Sequence, residues 1–135
     1  MNRTRIGAVA VALVTTLFVP ACGSSEPAIC ESVAAVRQSV NDLTHFNLGE
    51  NGLSALAADL SQLKSDLSEL AAEAGTGTQF QPEVDQIKAA TDQLQSSVAA
   101  ARADVSATTA SAVRTSLTAL SDAVKNLDSA LSDTC

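Results

Sequence analysis

The residues LSALAADLSQLKSDLSELAAEA, from Leu53 to Ala74, carry the clearest structural signal in this chain. Their apolar side chains recur at alternating intervals of three and four, which keeps one narrow stripe on one face of an α-helix. This spacing predicts a helix that packs lengthwise against its neighbours at a shallow angle. The stripe consists of Leu53, Leu56, Leu60, Leu63, Leu67, Leu70 and Ala74.

Three further segments show the same spacing, and no segment of useful length alternates with the period of a strand. The stripe residues are Ile29, Val33, Val36, Val40 and Leu43 in the first segment; Phe80, Val84, Ile87, Thr91, Leu94, Val98, Ala101 and Val105 in the third; and Val113, Leu117, Leu120, Val124, Leu127 and Leu131 in the fourth. The chain is therefore predicted to be all-α.

Glycine, asparagine and proline mark two of the three predicted connections. Residues 47–52 contain two asparagines and two glycines that interrupt the helical pattern. Residues 75–77 read Gly-Thr-Gly, and Pro82 suits the first turn of the third helix. The third connection lacks such residues, so a single helix from about 80 to 133 is the alternative. A break near 104–108 is favoured because the stripe slips there by one residue and because Ser106 is a plausible N-cap.

The N-terminal segment has the layout of an export signal. Arg3 and Arg5 precede an apolar run, Ile6 to Val19, that is too short to span a membrane as a helix. The run ends in Leu17-Phe18-Val19-Pro20-Ala21-Cys22, and a small residue directly before Cys22 resembles the lipobox of bacterial lipoproteins.

The lipobox resemblance implies that the Cys22 sulfur carries a diacylglycerol with palmitate chains. It also implies that Cys22 becomes the first residue of the mature protein. It divides the chain into a removed signal peptide (1–21), a lipidated tether (22–27) and a domain (28–135). It also implies anchoring in the cell membrane on the extracytoplasmic face. Pro20 departs from the pattern, since Ala or Ser is usual there. The alternative is ordinary secretory cleavage after Ala21, with an unmodified Cys22.

The cysteine count favours the lipoprotein interpretation. The chain has three cysteines, and exported proteins tend to pair their thiols. If Cys22 carries lipid, Cys30 and Cys135 remain as one disulfide. The segment with a cysteine near each end and the run Glu50 to Leu60 is similar to small Ala/Ser-rich helical lipoproteins of actinobacteria, which implies a fold and a location but no activity.

A bond between Cys30 and Cys135 also constrains the number of helices. The Cα atoms of a disulfide lie within ~7 Å of each other. In an up-and-down bundle, only an even number of helices brings the start of the first helix and the end of the last to the same end. The predicted fold is therefore an antiparallel up-down-up-down four-helix bundle closed by one disulfide.

The heptad letters predict which residues face each other. With the stripe as positions a and d, both cysteines fall at e, and e faces e′ in antiparallel neighbours. The bond then places Arg37 opposite Asp128 and Thr44 opposite Ser121. Helices one and two should meet through g positions, where Ser32 and Ser39 leave room for an acidic row. That row is Asp59, Asp66 and Glu73.

Composition excludes several functions. Without Arg3 and Arg5, six of the eight basic residues remain against 15 acidic ones, a net charge of −9 that argues against nucleic acid as a partner. His45 is the only histidine, and no Gly-x-Ser-x-Gly or phosphate-binding glycine motif is present. No metal, no cofactor and no enzymatic activity are therefore expected.

The loop between the first two helices is the candidate partner surface. Phe46 and Leu48 lie beside polar residues that include Asn51, which makes a small apolar patch with polar edges. The alternative is that both apolar side chains cap the core. The chain is predicted to be a non-enzymatic interaction or structural module that contacts an envelope protein or the cell wall. The alternative function is a carrier of a small apolar ligand between the helices.

Overall fold

The computed structural model describes residues 27–45, 52–75 and 78–135, which form four α-helices. They are α1 (Ala28–Thr44), α2 (Gly52–Ala74), α3 (Gln81–Ala103) and α4 (Ala107–Leu131), with one 3₁₀ turn at Thr78–Phe80. Consecutive helices contact each other, and α4 returns to contact α1. The described ranges contain no strand. The predicted fold class, an antiparallel up-down-up-down four-helix bundle, is confirmed.

The predicted stripes form one continuous core. All five stripe residues of α1 are buried, and so are those of α2 and α4 except the half-buried Leu53 and Leu117. Each fully buried Leu or Val side chain contributes roughly 1.5–3 kcal/mol through removal from water. Thr91, the one polar member of the stripes, is also buried. The cost of burying its hydroxyl is offset because Oγ1 donates a hydrogen bond to the Ile87 carbonyl at 2.8 Å.

The assignment of Val105 to the third stripe is wrong. Its side chain is 76% exposed, the one large apolar side chain that the described residues leave in solvent. The cause is local, since α3 ends at Ala103 and the backbone of Asp104 is extended, with φ −147° and ψ 109°. A side chain beyond the last helical turn no longer follows the face that the stripe defines.

The predicted break between the third and fourth helices is confirmed, and the single-helix alternative is wrong. Ser106 is the N-cap of α4, and its Oγ accepts a hydrogen bond from the Thr109 backbone N–H at 3.3 Å. Thr109 returns the contact, because its Oγ1 accepts from the Ser106 N–H at 3.0 Å. This reciprocal capping box satisfies two backbone donors that a helix start would otherwise leave unpaired.

The predicted covalent closure is also confirmed. Cys30 and Cys135 form a disulfide with a Cα–Cα distance of 5.8 Å, across 105 residues of sequence. Arg37 forms a salt bridge and hydrogen bond with Asp128, one heptad further along the same helix pair. The e-to-e′ register of α1 against α4 is therefore the one that the sequence predicted.

Candidate functional site

The four lines of contact between neighbouring helices, called seams below, are of two kinds. α1/α2 and α3/α4 meet through g positions, whereas α1/α4 and α2/α3 meet through e positions. The g seams bring the helix backbones closer together than the e seams do. The candidate functional surfaces therefore lie along the e seams, where side chains remain accessible.

The α1/α2 seam buries a carboxylate. Ser39 Oγ donates a hydrogen bond to Asp66, and both residues are buried. Gln62 Nε2 donates a second bond to Asp66 Oδ1 at 2.9 Å. The predicted contact between small g side chains of α1 and the acidic g row of α2 is confirmed at Ser39 and Asp66, and the same register places Ser32 opposite Glu73. The buried carboxylate is satisfied, so this seam is structural.

The α3/α4 seam has an equivalent polar contact that the sequence analysis missed. Ser97 and Ser116 are buried with their hydroxyl oxygens 2.8 Å apart. Ser97 Oγ donates to the Gln93 carbonyl at 3.0 Å, so Ser116 is the donor to Ser97. A serine at g on each helix was the available signal. Small g residues allow the close approach of these two helices.

The α1/α4 seam opens into surface grooves. Cys30, Cys135, Arg37 and Asp128 line a groove of about 370 Å³ near the disulfide. Next to it, a groove of about 360 Å³ brings together the side chains of Thr44 and Ser121, the third predicted e–e′ pair. The Arg37 and Asp128 side chains are 56% and 49% exposed. An exposed ion pair of this kind contributes under ~1 kcal/mol, so it marks the register more than it stabilises the fold.

The α2/α3 seam is also open, and cationic and polar side chains border a floor of apolar ones. Two grooves of about 300 and 230 Å³ follow one another along it and share Lys64. Lys64 Nζ donates a hydrogen bond to Gln95 Oε1 across the seam at 2.8 Å. Lys88 lines one groove and Arg102 the other. Three cationic side chains along one open seam can attract an anionic partner.

Four of the six predicted site residues, Cys22, Phe46, Leu48 and Asn51, lie outside the described residues. The helices that flank the 46–51 loop are described, and they place its ends opposite the disulfide. Fourteen residues separate Cys30 from Thr44, which is about 21 Å of helix. The turn at 104–106, with the exposed Val105, lies at this same end. We call it the distal end.

His45, the one histidine of the sequence, lies at the C-terminal end of α1. Nδ1 of His45 lies 2.8 Å from the Asn41 carbonyl oxygen, so this nitrogen carries the proton and donates it. Within the described ranges, no three His, Cys, Asp or Glu side chains lie close enough to hold a metal ion. The acidic row is spread along α2 at heptad spacing, ~10 Å per step, too far to share one ion.

No helix in the described part of the chain is long and apolar enough to cross a bilayer. Comparisons of the chain with protein-family models, with curated proteins and with solved structures found no match. The helices and the Cys30–Cys135 bond define the class of the protein as a disulfide-closed four-helix bundle.

Proposed function

We propose that the protein is a lipid-anchored lipoprotein of the cell envelope that acts as a non-enzymatic interaction or structural module on the extracytoplasmic face of the membrane. The observation that carries this proposal is the Cys30–Cys135 bond. Disulfides persist in oxidising compartments, which agrees with export directed by the N-terminal signal. With these two cysteines paired, Cys22 is the remaining thiol, and it stands at the position that a lipobox would modify.

The same bond orients the bundle on a lipid anchor. Residues 22–27 span at most about 18–20 Å when extended, so the disulfide end of the domain stays near the bilayer. The distal end then projects away from the membrane by the length of the helices. The contact surface would consist of Phe46, Leu48 and Asn51 together with Val105, which is exposed at this end. An apolar patch of this kind is a suitable contact surface for an envelope protein or for the cell wall.

The alternative function, carriage of a small apolar ligand, has less support. Such a site would be lined by the a and d side chains between the helices, and these form one continuous buried cluster. The grooves described above lie instead along the outer seams. Close packing of the core supports a surface function over an interior one.

Fractionation tests the anchoring step. Cells that express the Cys22→Ala variant should release the protein from the membrane fraction, and labelled palmitate should no longer be incorporated. A Ser24→Ala variant in the same tether is the matched control and should stay membrane-bound and labelled. Equal membrane retention of the Cys22→Ala variant and the parent would refute the lipid anchor.

Site-specific photo-crosslinking tests the interaction surface. A photoreactive residue at Leu48 or Val105 should give crosslinks to a defined envelope component, whereas the same residue at Ser132, exposed at the disulfide end, should not. If Phe46→Ala lowers the melting temperature but leaves the distal crosslinks unchanged, the apolar side chains of the loop cap the core. The distal end would then be dropped as the contact surface.

A further inference from the structure

Most basic side chains of the bundle lie at the e positions of the helices. Six of the eight basic residues follow the leader, and five of these six occupy e positions, Lys125 being the exception. The e positions of the four helices hold one carboxylate, Asp128, although acidic residues outnumber basic ones across the chain. The α1/α4 seam contains Arg37 and Arg114, and Lys125, paired with Asp122, lines its grooves. The α2/α3 seam contains Lys64, Lys88 and Arg102.

The two seams differ in how this charge is balanced. Across α1/α4, Arg37 pairs with Asp128. Across α2/α3, Lys64 reaches only the neutral Gln95, and neither Lys88 nor Arg102 has a carboxylate within ion-pair distance among the described residues. Asp92, one turn after Lys88, is the carboxylate that lines this part of the surface. Three cations therefore share one seam with an incomplete set of counter-charges.

The spacing of these cations is regular. Lys88 and Arg102 are fourteen residues apart on α3, about 21 Å, and Lys64 faces the midpoint of that interval through Gln95. The cations thus recur at steps of about 10 Å. Ala71 lines the groove with Lys88, and Ala57 lines it with Arg102. These small side chains leave the floor accessible between the charges.

A helix laid along this surface would match the spacing, because seven residues of an α-helix advance about 10.5 Å. Carboxylates at i, i+7 and i+14 would each meet one cation, while small apolar residues between them would contact the floor. We propose that the α2/α3 groove, defined by Lys64, Lys88 and Arg102, is the docking site for an acidic amphipathic helix of a partner protein. This site depends neither on the lipid anchor nor on the distal end.

A second copy of the chain does not supply such a helix. One row among the four helices has three carboxylates at heptad spacing, namely Asp59, Asp66 and Glu73. Its central member, Asp66, is buried in the α1/α2 seam and bonded to Ser39 and Gln62. The row is therefore not available as a whole to a neighbouring molecule.

Binding of a synthetic helix tests the proposal. The probe is a fluorescein-labelled amphipathic peptide of 21 residues with glutamate at every seventh position, titrated with the full chain in nonionic detergent and followed by anisotropy. The Lys88→Gln/Arg102→Gln variant should bind about tenfold more weakly. Raising the salt from 0.1 to 0.5 M should weaken the parent complex, since exposed charges are screened.

The matched control is Arg114→Gln/Lys125→Gln, which removes one arginine and one lysine from the opposite side of the bundle. It should bind the peptide as the parent does, with all three proteins showing the same helical content and melting temperature within a few degrees. Equal weakening by both double variants would show that binding depends only on net charge, and the proposed docking site would be wrong.

Two further probes separate a helix from other occupants. A peptide of the same composition with its glutamates moved out of heptad spacing should bind severalfold more weakly than the original. Unstructured polyglutamate or polyphosphate should also bind more weakly per carboxylate or phosphate. If either polymer binds as tightly, with the same dependence on Lys88 and Arg102, the groove recognises a flexible polyanion and the helix proposal is wrong.

Discussion

Removing the Cys30–Cys135 bond is expected to lower the free energy of unfolding by about 4–5 kcal/mol. The bond joins residues 105 positions apart, and a closed loop of roughly 100 residues restricts the unfolded chain by about 4.7 kcal/mol on the chain-entropy model. The noncovalent contacts between α1 and α4 would compensate little for the loss of the bond. α1 and α4 contact each other least among the neighbouring helices, and Arg37–Asp128, being half exposed, contributes under ~1 kcal/mol.

The loss would be a large share of the stability of such a bundle. Small domains are typically stable by about 5–15 kcal/mol, and for a domain of this size 1 kcal/mol corresponds to roughly 4 °C in the melting temperature. The midpoint of thermal unfolding should therefore fall by roughly 20 °C when the bond is absent. The helical content at low temperature should persist, because the core residues are unchanged.

Urea unfolding followed by circular dichroism measures the effect. The oxidised parent is compared with Cys30→Ala/Cys135→Ala, and each curve is fitted with its own m-value, since an uncrosslinked unfolded chain exposes more surface. Adding a reductant should bring the parent to the stability of the double variant and should leave the double variant unchanged. A difference below ~1 kcal/mol between the oxidised parent and the double variant would refute the reasoning from loop entropy.

Three further changes test other parts of the bundle. Ser39→Ala should cost about 1–3 kcal/mol by removing a hydrogen bond from the buried Asp66, whereas the exposed Ser61→Ala should be near neutral in the same urea assay. Ser106→Ala should cost about 1 kcal/mol by removing the cap of α4, with Ser111→Ala as the control; equal effects would rule out the cap as the cause. Thr44→Cys/Ser121→Cys should form a second disulfide in the register of the first and add roughly 3 kcal/mol, and failure to oxidise, seen by mass spectrometry, would contradict that register at the distal end.

Most of the fold was predictable because its determinants are periodic or covalent. The 3.5-residue spacing specifies the buried face of each helix, and a disulfide between e positions specifies the register of α1 against α4 and an even helix number. Ser106 was recognisable as a cap from its position at the slip in the pattern. Val105 was misassigned because the spacing of apolar residues does not show where the backbone hydrogen bonding of a helix ends. α3 ends two residues before Val105.

The candidate site was predictable to a lesser extent. Cys22 was selected by the residues directly before it, and Phe46, Leu48 and Asn51 by their closeness in one short segment. Such local patterns are visible in the sequence, and these four sites remain predictions. The α2/α3 groove was missed because Lys64 and Lys88 become neighbours only when two antiparallel helices adopt one register. Its signal, basic residues and alanines at the e positions of α2 and α3, is present in the sequence. It can be interpreted only once it is known which helices face each other.

The sequence by itself determined the number of helices, their buried faces and the closure of the first against the last, since each depends on spacing along the chain or on one covalent bond. Tertiary structure alone decided which seams are tight and which are open. Ser39 with Asp66 and Ser97 with Ser116 pair across the g seams with their polar groups satisfied, so those helices approach closely. The helices lie further apart along the e seams, where long cationic side chains line the open grooves. Whether a seam is open to solvent thus depends on side chains from two helices together. The sequence of one helix does not reveal it.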